Sequence, residues 1–209
     1  MKPVTAASKP IAEQSFILPG FAASATTSLL SAIHHVCQQS PLRQMTTPGG
    51  FKMAARMTNC GTSGWVTDKQ GYRYQAIDPK TGQIWPAMPQ VIYQLAVEAA
   101  EACGFEHFKP DVCLINSYQP GAGMGLHQDK DENDFTAPIV SISLGVPAIF
   151  LFGGNKRRDK TSAYLLKDGD VVVWGGVDRL RFHGVQPIKL SHHPQTGQNR
   201  FNLTIRQAS

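Results

Sequence analysis

The segment LHQDKDENDF, residues 126–135, sets one histidine among several carboxylates. His127 and Asp129 are two positions apart, and on an extended backbone side chains two apart project from the same face, where they can chelate one cation. Farther along, RLRFHGV supplies His183. Two imidazoles and one carboxylate make the facial triad of non-haem Fe(II) sites, which leaves coordination positions open for an oxidant and a cosubstrate. The same donors suit a catalytic zinc, so ligand type alone leaves the metal undecided. An isolated H-x-D also arises without any metal. Asp131 lies two residues beyond Asp129, while Glu132 and Asp134 read as solvated loop. The other histidines, His34–His35, His107 and His192–His193, read as surface residues.

The run RFNLTIR carries the stronger signal. Period-two alternation puts Arg200, Asn202, Thr204 and Arg206 on one face and Phe201, Leu203 and Ile205 on the other. If the polar face meets solvent, two arginines there are unremarkable. If it faces the interior of a β-sandwich that holds a metal, they need anions to offset their desolvation. A dicarboxylate such as 2-oxoglutarate answers that need: one end chelates iron, and guanidinium groups hold the carboxylates. CLINSY adds Asn116 and Tyr118 on a shared face, where they can orient the same ligand.

These residues need a scaffold. From Asp111 onward the chain is a series of short β-rich runs, DVCLINSY, PIVSISLG, PAIFLFGG, SAYLLKDG, DVVVWGG, RLRFHGV and RFNLTIRQ, separated by Gly, Pro and Asp-Gly. They predict an antiparallel sandwich or barrel, with a jelly roll the natural candidate. Two helices precede them, AASATTSLLSAIHHVCQQS from Ala22 and PAMPQVIYQLAVEAAEACG from Pro86, the second with an apolar stripe of Ile92, Leu95, Val97, Ala99 and Ala102 and a Gly104 cap. Residues 40–86 have no clear periodicity and are rich in glycine and aromatics, the texture of a lid or binding loop.

At 209 residues and 42% apolar composition, the chain can bury one sizeable core. It has no run near the roughly 18 apolar residues of a membrane helix and no signal-peptide core, so a cytoplasmic protein is expected. Four dispersed cysteines without a C-x-x-C pair read as reduced thiols. A net charge of +5 modestly favours a polyanionic partner.

The ordered motifs MTNCGTSGW, WPAMPQ, LINSYQPGAGMGLHQDKDE, PIVSISLG, FLFGG, GDVVVWGG, RFHGVQP and RFNLTIRQ resemble the AlkB-type family of Fe(II)- and 2-oxoglutarate-dependent dioxygenases, which repair alkylated bases in DNA and RNA. The likeness covers residues 40–208. It implies a mainly β, α+β fold: one domain over 1–209, with an N-terminal extension (1–15), a nucleotide-recognition lid (40–86) and a double-stranded β-helix core (111–208). It implies that His127, Asp129 and His183 bind iron, that Asn116, Tyr118, Arg200, Asn202 and Arg206 hold 2-oxoglutarate, and that O2 is the second cosubstrate. Trp65 would stack on a flipped base, Asp131 would contact it, and Tyr72, Arg73, Tyr74 and Arg157 would contact the substrate. The implied partner is alkylated single- or double-stranded DNA, and RNA, met by a monomer.

Physical reasons accompany these roles. A base must leave the stack before its N-methyl group can react, and an aromatic slot compensates part of the lost stacking. N1-methyladenine and N3-methylcytosine are cationic near neutral pH, so a carboxylate at Asp131 favours them over their neutral parents. PGAGMGL, between Tyr118 and His127, lacks the basic residue expected for phosphate contact, and Lys130 and the KRR run at 156–158 are the expected compensation. Two other readings fit parts of the pattern: a 2-oxoglutarate-dependent hydroxylase of a protein or small molecule, and a non-catalytic nucleic-acid-binding jelly roll.

Overall fold

The computed structural model describes residues 8–132 and 134–209. Its elements run β1 (Lys9–Ala12), β2 (Ser15–Leu18), α1 (Thr26–Gln39), β3 (Arg56–Gly61), β4 (Gly64–Asp68), β5 (Gly71–Gln75) and α2 (Gln90–Ala102). There follow β6 (Val112–Tyr118), β7 (Met124–His127), β8 (Ile139–Gly145), β9 (Ala148–Phe152), β10 (Ser162–Leu166), β11 (Val171–Trp174), β12 (His183–Val185) and β13 (Arg200–Arg206).

Two antiparallel sheets face one another. The major sheet has the order β1-β2-β11-β8-β13-β6-β3 and the minor sheet β10-β9-β12-β7, while β4 and β5 form a separate hairpin. This is the expected jelly roll. Helices α1 and α2 cover the outer face of the major sheet. Leu29, Ile33 and Val36 recur at helical spacing on α1 and bury against Cys113, Ile115, Val140, Leu203 and Ile205. Each such aliphatic side chain contributes about 1.5–3 kcal/mol when fully buried. On α2 the buried stripe is Ile92, Leu95, Ala96, Ala99 and Ala100. Val97 and Ala102, expected in that stripe, are only half-buried, because the contact with the sheet selects the neighbouring alanines. Gly104, with φ of 84°, ends the helix and donates its N–H to the Glu101 carbonyl at 3.0 Å.

The inner face of the major sheet is polar at its centre. β13 lies between β6 and β8, with Asn202 opposite Asn116 on one side and Ser143 on the other. Phe150, Phe152, Leu166, Val172 and Trp174 fill the space between the sheets beside this polar strip.

Two boundaries differ from the sequence reading. Residues 1–7 of the expected extension lie outside the described residues, but Lys9–Ala12 is a sheet strand. Gln14 and Ser15 are tied to the turn before β12: the Gln14 N–H and the Ser15 hydroxyl both donate to the Asp178 carboxylate, at 2.6 and 2.9 Å. In the 40–86 segment, β3 pairs with β6 along its whole length and belongs to the major sheet. Only part of the segment, centred on the β4–β5 hairpin, stands outside the sandwich.

Candidate active site

His127 and His183 are direct partners across the β7–β12 ladder, and their ring centroids lie 4.4 Å apart. The register of this ladder shifts between the pairs His183–His127 and Val185–Met124, so that two steps along β12 face three along β7 and the extra residue is on β7, across from Gly184. A β-carbon on Gly184 would stand 2.7 Å from the Met124 carbonyl oxygen, so only glycine lets the two strands approach this closely. Each imidazole is oriented by a backbone carbonyl: the Nδ1–H groups of His127 and His183 donate to Gly125 at 2.9 Å and Arg181 at 3.0 Å. That assignment leaves both Nε2 atoms as acceptors, the arrangement a metal-binding histidine needs.

Both Nε2 atoms point at Asp129. His127 Nε2 is 3.6 Å from Oδ1 and His183 Nε2 is 3.7 Å from Oδ2, and one donor atom from each of the three residues lies within 4.8 Å of the others. Burial, then the neighbouring His183, pushes the His127 imidazole down to about 4. Burial also works to raise Asp129, but Arg206, followed by the histidines, holds its carboxyl well below the usual range. Two neutral nitrogens and one carboxylate fit Fe(II).

Asn116, Tyr118, Arg200, Asn202 and Arg206, the residues expected to hold 2-oxoglutarate, line the same cavity, between the sheets. Arg200 is 1% exposed and has no carboxylate partner among the described residues. It donates through Nη2 to the Ser143 hydroxyl at 3.0 Å and lies over the Tyr118 ring at 5.3 Å, while its Nε and Nη1 have no hydrogen-bond partner. Arg206, 4% exposed, bonds Asp129 Oδ2 through Nη2 at 2.8 Å and keeps Nη1 unpaired. The Asn116 carbonyl oxygen is unpaired as well. Buried donors and a buried cation left in this state cost free energy unless a ligand meets them. An anionic oxygen donor of dicarboxylate type fits, with Arg200 and Arg206 as its holders. Asn202 does different work: its amide donates to Ser141 at 2.8 Å and Ile142 at 3.1 Å, and its carbonyl accepts from Thr204 at 3.0 Å. It is saturated by protein, so it fixes the polar strip on which Asn116, Arg200 and Arg206 stand.

Above this lies a wider cavity of about 660 Å³, bordered by Trp65, Tyr72, His127, Asp131 and Arg157. The hairpin register places Trp65 opposite Tyr74 and Thr67 opposite Tyr72, so Trp65, Tyr72 and Tyr74 share one face. Trp65 stacks on Tyr72 at 5.6 Å and donates its indole N–H to Asp131 at 2.8 Å. Arg157 lies over the Phe182 ring at 5.3 Å.

The structure does not bring two of the expected substrate residues to this cavity. Arg73 pairs with Val66 on the other hairpin face and is held by Asp68 at 2.8 Å. Tyr74 turns inward, its hydroxyl donating to Glu132 at 2.6 Å, and burial pushes that phenol well above its ordinary value. Glu132 corrects a third expectation. It is 6% exposed rather than solvated, and meets Arg179 at 3.1 Å and Arg206 at 3.3 Å. Arg179, 2% exposed, also donates to the carbonyls of Asp129 at 2.7 Å and Ala137 at 3.1 Å, which pins the loop carrying Asp129. Sequence reasoning missed both residues. The available signal was an arginine close to the buried strand of His183, which requires an anion somewhere.

Comparison with known proteins agrees with this geometry. A model of the 2OG-Fe(II) oxygenase superfamily matches residues 14–206. The chain is 56% identical to the alpha-ketoglutarate-dependent dioxygenase AlkB of Escherichia coli, over 96% of this chain and 93% of that protein. It is 33% identical to the tRNA demethylase abh1 of Schizosaccharomyces pombe, over 68% of this chain and 52% of that protein. The solved structure of OsALKBH1 superposes with a TM-score of 0.81 at 29% identity, covering 96% of this chain and 99% of that one. The chain therefore belongs to the 2OG-Fe(II) oxygenase superfamily and, within it, to the AlkB-type dioxygenases.

Proposed function

We propose that the protein oxidatively demethylates N-alkylated bases, such as N1-methyladenine and N3-methylcytosine, in DNA and also in RNA. The observation that carries this reading is one continuous arrangement. His127 and Asp129 line both the cavity between the sheets, where His183 completes the triad, and the wider cavity whose rim bears an aromatic pair, Trp65 and Tyr72, and a carboxylate, Asp131. An aromatic rim suits an unstacked base, and a carboxylate suits a cationic one.

His127, Asp129 and His183 would hold Fe(II). Bound with 2-oxoglutarate and O2, it supplies the oxidation that converts an N-methyl group to N-hydroxymethyl, which breaks down to formaldehyde and the restored base, as 2-oxoglutarate leaves as succinate and CO2. The protein supplies position. Arg200 and Arg206 receive the carboxylates of 2-oxoglutarate, Asn116 and Tyr118 border it, and the Trp65–Tyr72 pair closes over the base to exclude water. Arg157 and Lys130 offer cations to the strand at the cavity wall. The relatives named above include a dioxygenase and a tRNA demethylase, which supports a nucleic-acid substrate. No described helix is long and apolar enough to cross a membrane, and we place the protein in the cytoplasm as a monomer acting on single- or double-stranded substrate.

The test is incubation with oligonucleotides carrying single N-methyl lesions, Fe(II), 2-oxoglutarate and O2. Formaldehyde and unmethylated base in equal amounts, both lost in His183→Ala, are expected. Folded, iron-loaded protein that releases neither from any lesion would refute the proposal, and stimulation of succinate formation by peptides alone would replace it with protein hydroxylation.

A further inference from the structure

A third cavity lies at the β3–β6 edge of the major sheet, on its outer side. Its walls include Arg43, Gln44, Arg56, Lys80 and Gln119, and Ala54 lines both this cavity and the one that holds the proposed base site. The register explains the division. Arg56 is opposite Ser117, and Met57 is opposite Asn116. Alternation therefore turns Arg56 and Ser117 away from the face on which Met57 and Asn116 approach the reaction site.

Two of the three cations in this cavity, Arg56 and Lys80, are uncompensated. Arg43 is neutralised by Asp78, at 2.7 and 2.9 Å, and lies over the Trp85 ring at 5.0 Å. Asp78 is fully buried and also accepts from the Ser40 hydroxyl and the Lys80 backbone N–H, so it offers nothing to the cavity. Arg56 uses one N–H on the Leu42 carbonyl at 3.0 Å. Neither Arg56 nor the Lys80 ammonium has an ion-pair partner among the described residues, and no acidic side chain lines the walls. Gln119 is exposed beside them and brings neutral amide donors.

We infer that this cavity binds the sugar-phosphate backbone of the strand whose base enters the reaction site, with Arg56 and Lys80 each meeting a phosphate. The inference rests on the nucleic-acid reading above. It accounts for PGAGMGL: that segment lacks a basic residue, and the phosphate contacts come instead from β3 and from the loop between β5 and α2. An acidic peptide offers the same charge, but a strand with a base in the neighbouring cavity has its backbone delivered to the shared Ala54 wall by connectivity.

The experiment measures binding of an unmodified single-stranded oligonucleotide by fluorescence anisotropy across a salt series, for wild type and an Arg56→Gln, Lys80→Gln double variant. Two lost phosphate contacts should lower the slope of log affinity against log salt by about 1.4, at roughly 0.7 per phosphate on a single strand. KM for a methylated oligonucleotide should rise about tenfold with kcat unchanged, and an Arg56→Lys, Lys80→Arg variant should keep the wild-type slope. A double variant with wild-type melting temperature, slope and KM overturns the inference while wild-type turnover leaves the demethylase reading standing. Wild type that neither binds nor turns over the oligonucleotide removes both. Polyglutamate that binds wild type more tightly than the oligonucleotide, and is lost in the double variant, overturns it in favour of an acidic peptide.

Discussion

Trp65 donates its indole N–H to the Asp131 carboxylate at 2.8 Å while its ring stacks on Tyr72 at 5.6 Å. This bond, with the one from the Tyr74 hydroxyl to Glu132, joins the β4–β5 hairpin to the loop that carries Asp129. The Asp131 carboxylate is held at the cavity rim, where its charge is available to a cationic base and its position does not depend on the metal.

Asp131→Asn should therefore spare Fe(II) binding and change selectivity. The ratio of kcat/KM for cationic N1-methyladenine over neutral N1-methylguanine is expected to fall about tenfold, or ~1.4 kcal/mol. Competition between the two lesions in one reaction, with iron affinity measured in parallel, checks it. Loss of iron together with selectivity would show that the two roles are not separate.

Arg200 is the buried cation with two unpaired donors. Removing it in Arg200→Gln should raise KM for 2-oxoglutarate about 100-fold, corresponding to ~3 kcal/mol for losing one side of a buried charge-assisted pair. Fe(II) affinity should change little. Titration of 2-oxoglutarate at fixed iron separates the two effects.

Glu132 answers two buried arginines and a phenol. Glu132→Ala leaves Arg179 and Arg206 without that carboxylate and should cost about 3–5 kcal/mol of stability. Asp134→Asn, in the same acidic run but bonded among the described residues only to Thr136 two positions on, should stay within about 0.5 kcal/mol. Paired urea denaturation curves distinguish them.

Asp78 gives the protein an acid-side sensitivity. Burial acts to raise its carboxyl, but bonds from Arg43, Ser40 and the Lys80 N–H together hold it below the ordinary value. A folded pKa below the unfolded one means the stabilisation is fully present above the unfolded value of about 3.9 and disappears as pH falls through the folded value. The wild-type stability advantage over Asp78→Asn should be constant from pH 7 to about 5 and shrink below 4, followed by denaturation at each pH. An advantage that grows on acidification would contradict the assignment.

How much of this was legible in the sequence follows the range of the interactions. Arg200, Asn202 and Arg206 could be placed on one face because alternation along a strand is a local rule, and the H-x-D pair could be read for the same reason. The Glu132–Arg179 pair could not, because its members are 47 positions apart and the run that holds Glu132 reads as acidic surface. Arg73 fell on the wrong side because hairpin register decides the face, and a one-residue change reverses it. The β3 strand was hidden for a related cause. Its edge position and mixed composition, RMTNCG, give no alternation, and its membership in the sheet is fixed by pairing with β6 more than fifty residues later. The N-terminal hairpin had no periodicity to offer, and its role appears only where Gln14 and Ser15 meet Asp178.

The central place of β13 has a consequence for the order of folding. The strand that completes the middle of the major sheet is the last to be synthesised, so on the ribosome β6 and β8 wait with unpaired edges until residue 206 has emerged. Until then Asp129 lacks its partner Arg206 and the cavity between the sheets lacks both arginines. A nascent chain stalled anywhere before β13 is therefore an open sheet, and the cavity between the sheets gains its two buried guanidinium groups only once this strand has paired with β6 and β8.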